Sequence, residues 1–208
     1  DVQPMQTHYA FTCGGVDLKV TFTAPLFMED LKLLSRPVNY LTYSVAARDG
    51  REHEVEVYFE ASPRWALDQP YQQSASKGYE ADGLLYLKSG SKEQNILAKQ
   101  GDDLRIDWGY FYMVAGKENT AYSVGNSTEL RKNFVNGTLN SASLEGEDSN
   151  GNMALVRSHG KVKNVTDKIM LGYDDIYSIQ YFGTNLRPYW NSKGDRTIEA
   201  EMLAAYNE

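Results

Sequence analysis

Carboxylates are the residues here with the most obvious capacity for chemistry. They occur together at Asp102-Asp103, Asp107, Glu145 with Glu147-Asp148, and Asp174-Asp175. Glycoside hydrolysis needs two carboxyls across a cleft, one protonated and one ionised. These pairs sit at predicted strand starts and turn tips, where Asp caps or bends the backbone. Turn chemistry is therefore the expectation. EDSNGN (147–152) is oxygen-rich, as calcium loops are, but it lacks the spaced acids and the terminal bidentate Glu. It reads as a hairpin tip. The histidines are His8, His53 and His159, with no HExxH or HxH motif, so a metal site has little support. His53, flanked by Glu52 and Glu54, and His159, before Gly160, read as solvated positions near strand ends. There is no G-x-S-x-G elbow, phosphate-binding loop or dinucleotide fingerprint. A Ser–His–Asp triad needs only to meet in space, and nothing in the pattern favours one. No catalytic residue, metal or cofactor is assigned.

Aromatic residues are the second resource: 15 Tyr, 7 Phe and 3 Trp in 208 residues. An aromatic face complements the apolar face of a pyranose, so Trp65, Trp108 and Trp190 invite comparison with a sugar-stacking platform. Core or interface packing is the competing reading, and the favoured one. Trp108 lies in an alternating run and is expected in the core. Trp65 (SPRWALD) and Trp190 (RPYWN) lie in irregular segments and are the better exposed candidates. The run DDIYSIQYFGTNLRPYW (174–190) gathers aromatic rings, two carboxylates and an arginine just before the last helical segment. Aromatics and Arg are also the anchors of interfaces. Tyr181, Phe182, Arg187, Tyr189 and Trp190 are thus expected to fasten the sheet to the helix and to a neighbouring domain, with Trp65 a further contact residue.

The elements that must position these residues are mostly strands. VDLKVTFTAPLF puts Val16, Leu18, Val20 and Phe22 on one face. HEVEVYFEAS does the same with Val55, Val57 and Phe59, and PVNYLTYSVAARDG with Leu41, Tyr43 and Val45. This period of two describes antiparallel strands with one wet face. Asp49-Gly50 between two such runs predicts a hairpin pairing 38–47 with 52–61. Further strands are expected over 83–90, 103–116 (interrupted at Gly109), 152–160 and 167–182, with a loop over 140–152. Short helical stretches are predicted at 27–37, limited by Pro37, and at 127–135, capped by Ser127 or Thr128 and ended by Gly137. RTIEAEMLAAYNE is the clearest helix: Ile198, Met202 and Tyr206 share a face, and Glu199 and Glu201 suit its N-terminal dipole.

The bulk properties bound the function. A 208-residue chain that is 41% hydrophobic can bury a single large core. A net charge of −7 argues against a nucleic-acid partner. No stretch is long and apolar enough to span a bilayer. The chain starts at Asp1 without a signal peptide, which reads as a processed or excised piece. Cys13 cannot pair internally and is expected to be an inert, buried or half-buried thiol. Sequons at Asn126, Asn136 and Asn164 matter only in a eukaryotic secretory setting.

The expected architecture is an all-β, two-sheet antiparallel sandwich over residues 1–191, followed by a C-terminal helix at 192–208. The runs GGVDLKVTFTAPL (14–26), LLSRPVNYLTYSVAARDG (33–50), VEVYFEASPRWAL (55–67), KQGDDLRIDWGYFYM (99–113) and DDIYSIQYFGTNLRPYWN (174–191) add a resemblance. Together they resemble the β-sandwich region of secreted glutaminase A-like proteins, in order and over most of the chain. The resemblance implies a supersandwich-like fold and a secreted or periplasmic location. It also implies a following helical toroid domain, absent from this sequence, with residues 192–208 as the linker. The parent activity it implies is hydrolysis of glutamine to glutamate and ammonia. It carries no catalytic residue onto this chain, which points to a non-catalytic accessory domain partnered by that helical domain. The β-sandwich-plus-toroid layout is also similar to several carbohydrate-active enzymes. A glycan-binding or glycoside-hydrolase-associated module is therefore the alternative.

Overall fold

A computed structural model describes residues 1–102, 104–139 and 151–208. The strands are β1 Val2–Gln3, β2 Gln6–Cys13, β3 Val16–Thr23, β4 Val38–Ala47, β5 His53–Ala61, β6 Ser74–Ala81 and β7 Leu84–Ser91. They continue with β8 Tyr110–Gly116, β9 Thr120–Gly125, β10 Asn152–Val162, β11 Asn164–Asp174, β12 Ile179–Tyr181 and β13 Thr184–Leu186. The helices are α1 Leu31–Ser35, α2 Ser127–Val135 and α3 Ile198–Asn207, with 3-10 turns at Pro63–Ala66 and Tyr189–Asn191.

Eight strands form one antiparallel sheet in the order β1-β2-β3-β4-β11-β8-β7-β6. A second sheet, β5-β10-β9, packs on one face of it, and β12-β13 is a separate hairpin. The all-β, sandwich-like architecture with a C-terminal helix is thus the one the alternation predicts. The registers show why the period holds. Tyr43 sits opposite Val20, and Ile169 opposite Leu41, so Val20, Tyr43, Leu41 and Ile169 share the inner face. There they meet Met113, Leu87, Met153 and Leu155 in the main core.

The expectation of one wet face fails for the central strands. α3 lies across the outer face of the large sheet. Ile198, Met202 and Ala205 pack there against Val38, Tyr86, Tyr112, Val114 and Met170. Leu84, Leu85, Tyr86 and Leu87 are consequently all buried, because β7 has the second sheet on one side and a helix on the other. At about 1.5–3 kcal/mol per fully buried large side chain, Ile198 and Met202 alone are a substantial anchor. Gly172 makes the close approach achievable, since a Cβ there would land on Met202 and 2.5 Å from the Pro37 carbonyl. Thr197 caps α3 by accepting from the Ala200 N–H, and buried Glu201 pairs with Arg196 and, at 3.4 Å, with Arg36.

Several local expectations need correction. Residues 38–47 and 53–61 do not form a hairpin. Both edges of β4 are taken by β3 and β11, while β5 pairs with β10 in the other sheet. The Asp49-Gly50 turn is real: Asp49 accepts from the Arg51 N–H and Gly50 has φ 72°. It carries the chain between sheets, because Asp-Gly encodes the reversal but not the pairing partner. The strand expected over 103–116 begins only at Tyr110, and Leu104 and Ile106 are exposed. Trp108 is half-buried in a loop, its Nε1 donating to the Tyr177 carbonyl at 3.0 Å. Cys13 is exposed, at the end of β2, where β1 pairs only with Gln6 and Thr7 and so leaves that edge of the sheet uncovered. His159 is not solvated. It sits at a bulge in β10 that turns its ring toward Tyr43, whose hydroxyl lies 2.8 Å from Nε2. α2 spans 127–135 as predicted, but its cap is Asn126, which accepts from the Thr128 N–H. The predicted strand 167–182 breaks after Asp174, and the reversal falls at Phe182-Gly183, with Thr184–Leu186 returning as a strand. Asp103 and most of the 140–152 loop, including Glu145, Glu147 and Asp148, lie outside the described residues.

Candidate functional site

One end of the sandwich collects the irregular segments. β3 and β5 finish there, β4 and β8 begin there, and β11 ends there opposite Tyr110. Loop 24–37, the turn at 63–73, the segment 92–109 and the stretch 175–191 therefore share this end. So do most of the exposed large apolar side chains, among them Phe27, Met28, Trp65, Leu104, Tyr181 and Phe182. The opposite end is different in kind. Its turns (Gly14-Gly15, Arg48–Glu52, Asp82-Gly83, Lys117–Asn119 and Lys163) are small, charged or polar. Monomeric surfaces rarely gather contiguous apolar area without a partner for it.

The 174–190 stretch is built by close packing at its root. Gly109 has φ 75°, and a Cβ there would come within 2.8 Å of Asp175 Cα, so only glycine lets this backbone cross. Tyr173 donates its hydroxyl to the Trp108 carbonyl at 2.6 Å, and Ser178 Oγ donates to Asp175 at 2.6 Å. Asp174 Oδ1 accepts from the Ile176 N–H at 3.0 Å. Burial, reinforced by Asp175, pushes the Asp174 carboxyl above its ordinary range. Ile176, β-branched, is held at φ 61°, a conformation that costs of order 1–3 kcal/mol. Arg187 lies over the Tyr177 ring, 4.8 Å from its centroid, which fixes the base of the β12-β13 hairpin.

The hairpin then presents its tip to solvent. Phe182 and Gly183 both have positive φ, 44° and 79°, as a two-residue primed turn requires. Phenylalanine is an unusual choice at such a position. It is 91% exposed and packs edge-on to Tyr181 with centroids 4.6 Å apart. Strain and exposure thus coincide on one aromatic residue.

The six expected contact residues do not converge on one pocket. Trp65 is 57% exposed, with its ring 5.0 Å from Phe111. It stands at a cleft of about 560 Å³ lined by Phe22, Leu171 and Tyr173, with Gln3, Gln6 and Asn39 also in its wall. None of the residues from 181 to 190 lines that cleft. Tyr181, Phe182 and Tyr189 are exposed and Arg187 is half-buried. Trp190, a better exposed candidate for which packing is still the favoured reading, is packed. It is only 5% exposed, in a 3-10 turn packed against α1. Phe27, Met28, Tyr71, Leu104 and Ile106 escaped sequence reasoning because loop residues carry no period to reveal their orientation.

The groups singled out for chemistry are engaged structurally. Lys99 bridges Asp68 and Asp107 at 2.9 and 2.8 Å. His8 lies 3.0 Å from Thr21 Oγ1, and His53 2.9 Å from Asp49. Among the described residues no three His, Cys, Asp or Glu side chains are grouped to hold a metal, and no helix is long and apolar enough to cross a membrane.

A model of the domain of unknown function DUF5127 matches residues 5–208. The chain belongs to the DUF5127 family. Glutaminase A of Aspergillus oryzae (strain ATCC 42149 / RIB 40) is 28% identical over 180 residues, covering 81% of this chain and 25% of the relative. The resemblance to glutaminase A-like proteins read from the sequence is therefore supported, and this DUF5127 chain spans about a quarter of the curated relative's length. Among solved structures, one described as a kojibiose phosphorylase from the human microbiome aligns with a TM-score of 0.41 at 8% identity. It covers 97% of the DUF5127 chain and 20% of that structure's chain.

Proposed function

We propose that this chain is a non-catalytic accessory β-sandwich domain of a larger, secreted or periplasmic, glutaminase A-like amidohydrolase. In this reading the parent protein converts L-glutamine to L-glutamate and ammonia. The apolar end of the sandwich docks the helical domain of the same polypeptide. The observation that carries it is the gathering of exposed aromatic and aliphatic side chains at one end, with Phe182 at the tip of a strained hairpin. Aromatic anchors next to an arginine suit a domain interface, and the relative is about four times as long as the matched region.

Ammonia release from glutamine tests the catalytic half. This chain alone is expected to show no turnover, and robust turnover would refute the accessory role. Pull-down of the helical domain, expressed separately, tests the docking half. Binding is expected for the native chain and is expected to weaken by about tenfold or more in a Tyr181→Ser, Phe182→Ser double variant.

A carbohydrate-binding module is the second reading, favoured by the exposed Trp65 indole at a cleft that also presents amide side chains. Glycan titration of native and Trp65→Ala protein tests it. Binding unaffected by the substitution removes Trp65 from the reading.

A further inference from the structure

A second cavity, of about 520 Å³, opens at the same end, between the turn before β6 and the segment joining β7 to β8. Its character is opposite to that of the Trp65 cleft. Every lining side chain except Tyr71 ends in an amide, a carboxylate or an ammonium. The floor is pre-organised by part-buried hydrogen bonds. Asp107 Oδ2 accepts from Gln72 Nε2 at 3.0 Å and from Lys99 Nζ at 2.8 Å. Gln72 Oε1 in turn accepts from the N–H groups of Asp68 and Gln69 at 2.8 and 2.9 Å. The Asp107 side chain is 1% exposed, and its other oxygen, Oδ1, has no hydrogen-bond partner among the described residues. Oδ1 is sealed from solvent, so it is the Oδ2 side of the carboxylate, with Gln72 and Lys99, that forms the floor. At the mouth, Tyr71 is 80% exposed and offers a ring face.

We propose that this cavity binds a neutral saccharide unit. Amides and carboxylates supply both acceptors and donors, which is what a ring of hydroxyls, each donor and acceptor at once, can use. The Tyr71 ring supplies the apolar face that a pyranose complements. The volume lies within the range of small-molecule sites. Charge narrows the class further. Lys99 is the cation in the wall, held by Asp68 and Asp107, and Arg105 stands 3.6 Å from Asp68, so with Glu93 the three carboxylates still outnumber the two cations. An anionic ligand, or the carboxylate of a free amino acid, would meet acceptors that repel it. The inference stands apart from the docking role and from the Trp65 cleft, and it holds even if either fails.

Calorimetric titration or saturation-transfer NMR with a panel of neutral mono- and disaccharides tests it, with glutamine and glutamate as competitors. The native protein is compared with Tyr71→Ala, Gln73→Ala and Trp65→Ala variants. Tyr71 and Gln73 are exposed, so these variants are expected to keep the native unfolding midpoint. The expected result is binding of at least one saccharide, weakened by about tenfold in Tyr71→Ala and Gln73→Ala and unchanged in Trp65→Ala. No saccharide binding in the native protein overturns the proposal. So does binding that Trp65→Ala weakens as much as Tyr71→Ala, or binding of glutamine or glutamate but of no saccharide.

Discussion

Asp174 loses its hydration where the end of β11 pairs with the start of β8, and its carboxyl titrates above the ordinary value as a result. A raised acid binds more protons folded than unfolded, so it subtracts stability as pH rises above about 4. Asp174→Asn keeps an acceptor for the Ile176 N–H without the charge. Its urea midpoint is expected to exceed that of the native protein at pH 7, with the gain disappearing by about pH 3. His159 acts in the opposite sense. Burial lowers its pKa, Asp167 opposes that shift and Arg157 adds to it. The stability it contributes is present above about pH 6.5 and lost as pH falls below that value. His159→Gln is expected to flatten the stability profile below that value while leaving the Asp174 effect intact. Trp190 and Tyr189, adjacent in sequence, separate cleanly by burial. Trp190→Ala is expected to cost about 3–5 kcal/mol in chemical denaturation, as large buried aromatics do. Tyr189→Ala, 60% exposed, should stay within about 0.5 kcal/mol of native. Equal losses at the two positions would contradict this assignment.

Elements here are specified by their neighbours as much as by their own residues. The alternation in β3, β4 and β5 identifies their inner faces correctly, because side-chain direction along a strand is a local property. Which strand pairs with which is not local. The Asp49-Gly50 turn joins two sheets because β3 and β11 occupy both edges of β4. Likewise, α3 is legible as an amphipathic helix, but the sheet face that receives it is visible only once β4, β11, β8 and β7 lie side by side. Gly172 marks that contact. Gly172→Ala is expected to displace α3 and destabilise the fold by about 1–3 kcal/mol, the usual cost of overpacking. Gly125→Ala is the control, since its added Cβ would meet only Leu130 Cδ2, at an ordinary 3.8 Å. A Gly172→Ala variant as stable as the control would show that the helix contact is looser than this packing requires.

One end of the sandwich carries short turns, and the other carries the long loops with most of the exposed large apolar side chains. Strands laid antiparallel send their turns to one end or the other, so loop composition becomes a property of an entire surface. The Tyr181→Ser, Phe182→Ser double variant belongs to this scale. It is expected to keep its unfolding free energy within about 0.5 kcal/mol of native, because both residues are exposed, while losing affinity for the docked domain. A fall in stability without loss of affinity would relocate these residues from interface to fold.

The sequence by itself determined the β architecture, the faces of its strands and the terminal helix, since periodicity is local and directly readable, and runs of it carry the resemblance to glutaminase A-like proteins. It also singled out Trp65, Tyr181, Phe182, Arg187, Tyr189 and Trp190 by residue type. Only the tertiary structure decided that Trp190 is buried, that Trp65 opens on a cleft of its own, and that unremarkable loops add Phe27, Met28 and Leu104 to the same end. The reason is physical. Burial and convergence depend on strand order and sheet stacking, and these come from contacts between residues far apart in the chain, whose pairing no local pattern encodes.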